Sequence, residues 1–296
     1  MINELTILTP TYNRGEQIKK LYDSLVSQGY SDLTWLIIDD GSTDNTKEVI
    51  QSFQEKSIFR ILYFYKQNGG KVSAHKLGFE KLDTEWCMAV DSDDWLLEDR
   101  LCIIESLLKD SSIKTDAFCM HRYDPLKKKI LGDKFKKDLK NYHDLYNSGI
   151  RGDKVHIHRS RLVKNVKINL FPPETYLSPH QLTFNFDKNI NVCFKDIPIT
   201  ASIYLKSGLT GKIVFNRYSS PKGTSYTYLR ISEDEDLSNK LRWKAKINYY
   251  RFKFLRNKKI LKMKDIILYL FGFLMFLIDI KNDPSLMKLK KSNENK

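Results

Sequence analysis

Short apolar runs that stop abruptly at polar residues punctuate roughly the first 120 positions of the chain. Leu5-Thr6-Ile7-Leu8-Thr9, Thr34-Trp35-Leu36-Ile37-Ile38, Arg60-Ile61-Leu62-Tyr63-Phe64 and Trp86-Cys87-Met88-Ala89-Val90 show little alternation of polar and apolar positions. That is the pattern of strands covered on both faces. Between them the apolar positions take helical spacing: Ile18, Leu21, Tyr22, Leu25 and Val26, then Val49, Ile50 and Phe53, then Leu101, Ile104, Leu107 and Leu108. Ser42-Thr43-Asp44 offers cap residues for the helix after the second strand. Strand–helix alternation with buried strands predicts an α/β fold with a mainly parallel sheet flanked by helices.

The pattern loosens from residue 111 to 225 into mixed strands and loops, with a strand expected near 115–120. Lys127-Lys128-Lys129 and the stretch 133–140 read as solvated surface, and Pro172-Pro173 and Ser219-Ser220-Pro221-Lys222-Gly223 as loop punctuation. From 226 the chain turns helical and basic. The expected organisation is a half at 1–110 that binds a ligand at its strand ends, a mixed half of the same domain at 111–225, and a helical tail at 226–296.

Composition adds a constraint of charge. Of 296 residues, 50 are Lys or Arg and 36 are Asp or Glu, a net +14. The excess is regional: residues 1–110 carry roughly −7 and residues 241–296 roughly +11. A nucleic-acid binder with a basic cleft is therefore not expected. The four cysteines, Cys87, Cys102, Cys119 and Cys193, have no metal-ligand spacing, which fits a reducing cytosol. No basic-then-apolar leader opens the sequence, so no secretory signal is expected.

Ligands of open parallel sheets collect outside the carboxyl ends of the strands. Here those ends read Thr9-Pro10-Thr11-Tyr12-Asn13-Arg14, Asp39-Asp40-Gly41-Ser42-Thr43-Asp44, Asn68-Gly69-Gly70-Lys71 and Asp91-Ser92-Asp93-Asp94. Neither a Walker A sequence nor a G-x-G-x-x-G is present, so P-loop and dinucleotide sites are not supported. Carboxylates two apart, as in Asp91-Ser92-Asp93, suit Mg²⁺ or Mn²⁺ with phosphate oxygens as further ligands. Taken alone, the same residues read equally as an acidic turn capping the helix that follows.

Together, these four strand ends resemble the family 2 glycosyltransferases of the GT-A fold, in that family's order and approximate spacing, over residues 3–125. The resemblance implies a nucleotide-binding sheet, a mixed acceptor-binding region and roles for single residues. Pro10 and Tyr12 look like the wall that packs on the nucleobase. Asp40 looks like the acceptor of the uracil N–H, with Asp39 structural or beside it. Asn68 and Lys71 look like part of the base and diphosphate cradle, Asp91 is similar to the residue meeting ribose or sugar, and Asp93 to the metal ligand, with Asp91 also near the ion.

More loosely, the second half is similar to members that build surface or capsular polysaccharide, through Gly152-Asp153-Lys154, Phe171-Pro172 and Tyr204-Leu205-Lys206-Ser207-Gly208. An inverting transfer needs a base to deprotonate the acceptor hydroxyl. Glu174, just behind Phe171-Pro172-Pro173, is the candidate, with His180 the runner-up where relatives carry a second acidic residue. The expected activity is metal-dependent hexosyl or N-acetylhexosaminyl transfer from a UDP-sugar to a glycan, lipid-linked, acceptor. A non-catalytic nucleotide- or glycan-binding relative and a nucleotide-sugar pyrophosphorylase are the alternatives. The other histidines show no helix-spaced pairing with a glutamate and are not expected to bind metal.

Residues 266–278 form thirteen uncharged positions between Lys258, Lys259, Lys262 and Lys264 on one side and Lys288, Lys290 and Lys291 on the other. The run is short for a span, which takes about 17–25 residues. Apolar insertion beside basic flanks suits a peripheral anchor on an anionic membrane surface, at its cytoplasmic face. A buried packing helix is the other reading.

Overall fold

The structure, a computed structural model, describes residues 4–110, 114–178, 186, 189–203, 212–253 and 266–286. The chain divides into two compact units, residues 1–167 with 185–203, and residues 168–184 with 204–296.

The first unit opens with β1 (Leu5–Thr11), α1 (Gln17–Val26), β2 (Thr34–Asp39), α2 (Thr46–Lys56), β3 (Arg60–Tyr65), α3 (Lys71–Lys81) and β4 (Trp86–Ala89). It continues through β5 (Trp95–Leu96), α4 (Arg100–Lys109), β6 (Ala117–Asp124), β7 (Lys129–Ile130), α5 (Tyr142–Asn147), β8 (Lys154–Arg159), α6 (Ser160–Lys164) and β9 (Val192–Ala201). The strands form one sheet in the order β3-β2-β1-β4-β8-β6-β9-β5, with β7 paired to β6. β3, β2, β1 and β4 run parallel, as the alternation predicts. β8 pairs antiparallel with β4, and β6 antiparallel with β8, so the sheet continues past residue 110 without a break. β2 lies on one side of β1 and β4 on the other. This reversal of strand order opens a crevice at the carboxyl ends, where open α/β sheets take their ligands.

Every residue of β1 and β2 is buried, the outcome expected of apolar runs without alternation. The predicted stripes supply the cover: Ile18, Leu21 and Leu25 of α1, and Val49, Ile50 and Phe53 of α2 pack with Trp35 and Ile37 in one core. Tyr22 stacks on Phe53 with ring centroids 4.0 Å apart. The indole N–H of Trp35 cannot be buried without an acceptor and donates to Thr9 Oγ1 at 2.9 Å.

Two expectations shift. Asp44 does accept the N–H of Thr46 at the start of α2, but Ser42 and Thr43 serve elsewhere. Ser42 Oγ accepts the Asn13 N–H, and Asn13 Oδ1 accepts the Thr43 N–H, each at 2.8 Å. They brace the turn after β1, where Asn13 has a φ of 51°. The Asp91–Asp94 turn caps no helix, since β5 follows it and α4 begins only at Arg100.

The second unit contains α7 (Ile213–Ser219), α8 (Pro221–Glu233), α9 (Asn239–Lys253) and α10 (Ile266–Asn282). Tyr218, Phe252, Phe276 and Leu286 share a buried cluster. Arg251 of α9 grips Asp279 of α10 through two bonds of 2.6 Å, and the Tyr218 hydroxyl donates to the same carboxylate at 2.5 Å. Thus α10, the apolar run of the sequence, is fastened along one stripe to α9. Among the described residues, no helix is long and apolar enough to cross a membrane.

Gly272 marks where α9 and α10 come closest: a Cβ there would sit 2.8 Å from the Ile247 carbonyl oxygen and 2.9 Å from the Arg251 nitrogen. Both are backbone atoms and cannot rotate away. Gly272→Ala is expected to lower stability by about 1–3 kcal/mol, the usual cost of overpacking, read as a lower urea midpoint. In the first unit, the Tyr142 hydroxyl bridges His156 Nδ1 at 3.1 Å and His158 Nε2 at 2.7 Å. Burial, reinforced by the Arg122 charge, lowers the pKa of His156 from 6.5 to about 4, and burial lowers that of His158 as well. The unfolded chain therefore binds protons below pH 6.5 that native His156 refuses until about pH 4, and that native His158 also resists. Each such histidine should contribute nothing to the pH dependence of stability above about pH 6.5 and a loss of roughly 1.4 kcal/mol per pH unit below it, read by urea melts from pH 7.5 to 5.

Candidate active site

The crevice residues sort themselves by what already holds them. Asp39 is fully buried. Its Oδ1 accepts the Ser42 N–H and its Oδ2 the Tyr63 hydroxyl, each at 2.8 Å, so it is a brace within the sheet edge. Asp40 is also buried, and it organises the loop after β3. Its Oδ1 accepts from Lys66 Nζ at 2.6 Å and the Gly69 N–H at 3.0 Å, and its Oδ2 accepts the Gly70 N–H at 2.7 Å. Asn68 Nδ2 donates to the Asp40 carbonyl at 2.8 Å. Gly70, at a φ of 88°, turns the chain into α3, so Lys71 stands at the first position of that helix.

From there Lys71 Nζ reaches Asp91 Oδ1 at 2.5 Å. Arg122, carried by β6, lies 3.3 Å from Asp91 Oδ2 and 2.6 Å from Asp94 Oδ2. Burial acts to raise the Asp91 pKa, but the Lys71 and Arg122 charges outweigh it and hold the carboxyl well below the usual range. At Asp94 the balance is reversed. Burial lifts it to about 7 despite the Arg122 guanidinium. Asp93 differs from both, with a side chain 44% exposed and Arg14 no closer than 3.7 Å.

This arrangement fits a hard divalent cation at Asp93. Mg²⁺-like ions are commonly held by one or two carboxylates, the rest of the shell being phosphate oxygens and water. Asp93 offers oxygens to solvent, whereas both Asp91 oxygens already face cations. Asp91 thus contributes mainly as the partner that fixes Lys71 and Arg122.

Tyr12, 48% exposed, presents an aromatic ring at the end of β1. Pro10 does not join it on the surface: it is buried within β1, opposite Ile38. Among the described residues, Lys66, Arg122 and His75 join the site from outside the four strand-end motifs, and Arg14 belongs to the first motif without an expected role of its own. Arg122 was detectable in principle, because a guanidinium two places after the buried Met120 needs a carboxylate partner. His75, one turn beyond Lys71, is buried and lowered to about 4, first by burial and then by the Lys71 charge.

Glu174 belongs to the second unit and is engaged there. Its Oε1 accepts the Lys222 N–H and its Oε2 the Gly223 N–H, both at 2.8 Å, at the start of α8. A carboxylate on the first turn of a helix satisfies donors that the helix leaves unpaired. His180 lies outside the described residues.

Comparison with known proteins places these features in a family. The family model described as Glycosyl transferase family 2 matches residues 6–157, half of the chain. The chain is similar to the glycosyltransferase GlyA of Streptococcus pneumoniae, 33% identical over 36% of this chain and 15% of that protein. It is also similar to the GalNAc(5)-diNAcBac-PP-undecaprenol beta-1,3-glucosyltransferase of Campylobacter jejuni, 26% identical over 87% of this chain and 85% of that one. Among solved structures, S. aureus TarS in complex with UDP-GlcNAc superposes with a TM-score of 0.63 at 15% identity, covering 92% of this chain and 80% of TarS. The mannosyltransferase PcManGT of Pyrobaculum calidifontis, solved with GDP-Man and Mn²⁺, gives 0.56 at 15% identity over 98% and 79%. These likenesses show the fold: a mainly parallel sheet with flanking helices, the GT-A fold. With its four strand-end motifs assembled on one sheet edge inside the matched region, the chain belongs to glycosyltransferase family 2.

Proposed function

We propose that the protein is an inverting, metal-assisted glycosyltransferase that moves a hexosyl or N-acetylhexosaminyl group from a UDP-sugar to a glycan acceptor. The observation that carries this reading is the set of groups at one strand edge: an exposed ring at Tyr12, an open carboxylate at Asp93, and the Lys71 ammonium held by Asp91. Tyr12 stacks on the uracil face. Asp40, with three of roughly four carboxylate acceptor positions filled, takes the uracil N–H at the last. Asn68 shapes that pocket through its bond to the Asp40 backbone. Lys71 and Arg14 bring positive charge to the diphosphate, and Asp91 keeps Lys71 in place for the ribose and sugar side.

A Mn²⁺ or Mg²⁺ ion held by Asp93 would neutralise the departing diphosphate. A base then removes the acceptor proton as its oxygen attacks the anomeric carbon opposite the leaving group. Of the two candidates we favour His180, since both oxygens of Glu174 hold the start of α8. The Campylobacter relative, named for an undecaprenol-linked glycan, supports a lipid-linked acceptor. Work at the cytoplasmic face of a membrane, in surface polysaccharide assembly, is part of the same proposal. TarS, bound to UDP-GlcNAc, supports the uridine donor.

A screen of UDP-sugars for Mn²⁺-dependent UDP release, with and without lipid-linked glycan, tests the reading. A folded chain that releases no UDP with any donor overturns it. Asp93→Asn should lower transfer at least about 100-fold, the loss of several kcal/mol of charge stabilisation, and abolish the metal-dependent part of UDP affinity. Its circular dichroism should not change, because the residue is exposed. Unchanged turnover removes Asp93 from the metal role.

His180→Ala is expected to lower the transfer rate by about 10²–10⁴-fold with UDP affinity kept. Glu174→Gln instead places an amide NH₂ against a backbone N–H and should cost about 1–3 kcal/mol of stability with little change in rate. The opposite pairing of rate and stability losses would assign the base to Glu174.

A further inference from the structure

One face of the second unit has no part in the proposed chemistry. In α10, Gly272 and Phe276 are buried toward the unit, while Ile267, Leu270, Phe271, Leu274, Leu277 and Ile278 are between 46% and 64% exposed. Their spacing of three and four places them in one continuous stripe along the helix. An apolar stripe of this length facing water marks an interaction site.

The border of the stripe is basic and aromatic. Trp243 of α9 is 64% exposed and lines a groove with Lys240, Lys244, Ile247, Asn248 and Met275, the last from α10. The stretch from 241 onward carries roughly +11 of the net charge.

We propose that this face docks on an anionic bilayer, with α10 lying in the plane of the interface. The aliphatic stripe enters the acyl boundary, Trp243 sits at headgroup depth, and Lys240 and Lys244 reach lipid phosphates. Interfacial helices combine these features, and tryptophan is enriched at that depth. Charge decides between a membrane and a second copy of the chain: a copy would bring the same lysines against their counterparts, whereas anionic lipid complements them. The stripe also lacks the polar groups by which a protein partner fixes its orientation, which a fluid acyl layer does not need. A surface of this kind deepens the proposed function by holding the enzyme beside a lipid-linked acceptor. It rests on that reading only for its purpose, since vesicle binding and sugar transfer can each fail while the other stands.

The test is co-sedimentation of the full chain with vesicles of about 3:1 phosphatidylcholine to phosphatidylglycerol, and with phosphatidylcholine alone, beside analytical ultracentrifugation without lipid. Binding should be strong to the anionic vesicles and only partly reversed by high salt, because the apolar contribution is not screened. Leu270→Glu with Leu274→Glu should lower the partition coefficient at least about 100-fold, with the thermal transition kept and UDP release in detergent unchanged. Leu270→Ala with Leu274→Ala gives a milder loss in the same direction should the acidic pair disturb folding. Lys240→Glu with Lys244→Glu should lower binding at least about 30-fold on anionic vesicles and leave the neutral ones unaffected. Three results overturn the proposal: no binding to anionic vesicles, binding that none of these substitutions weakens, or a lipid-free dimer that the leucine substitutions dissociate.

Discussion

A carboxylate that is buried must be given donors, and Asp40 draws much of the crevice around itself to obtain them. Gly69 and Gly70 turn their backbone N–H groups inward to reach it, and Lys66 folds over it. Asn68 closes the loop from the other side, and its own backbone lies so near Gly41 that a Cβ there would stand 2.8 Å from the Asn68 nitrogen. The loop's path then leaves α3 to begin at Lys71. The ammonium that meets Asp91 is therefore placed by an aspartate at the end of β2, through the loop that follows β3.

The acidic turn shows how one short stretch yields three different carboxylates. Asp91 is neutralised by two cations, Asp94 is buried against one, and Asp93 faces solvent. Only the differences in burial and partners separate them, because the side chains are the same. The proposed site for a divalent cation beside a diphosphate needs this sorting. Three open carboxylates would repel the donor, and three paired ones would hold no ion.

Sequence patterning made the parallel half of the sheet legible because both its strands and its covering stripes are local. Runs without alternation mean cover on both faces, and Ile18, Leu21 and Leu25 supply it. The candidate residues were legible as a group for the same reason, since parallel strands bring their carboxyl ends to one edge. Individual roles were less so. Pro10 and Tyr12 are two residues apart and carry the same expectation, yet Pro10 lies within β1 and is buried while Tyr12 lies past its end and is exposed. Glu174 has a partner 48 residues away at the start of α8, and Arg122 has partners 28 and 31 residues away in the acidic turn. Nothing in the local pattern signals such distances. The apolar run at 266–278 could be read as packing or as contact with lipid. Gly272 shows that its inner stripe is packing, and the outer stripe stays unmatched within the second unit.

Arg122 sits on β6, a strand that enters the sheet only after the residues bearing the four motifs have ended. The motif-bearing half is thus not a self-sufficient module. Cut from β6, Asp94 would lose its countercharge and Asp91 one of its two. Exchange of the segments that follow residue 110 between relatives, whether by natural recombination or in a designed chimera, is therefore restricted to pieces that bring a cation to position 122. Variation in the later strands of the sheet is bounded by the countercharge that the acidic turn requires.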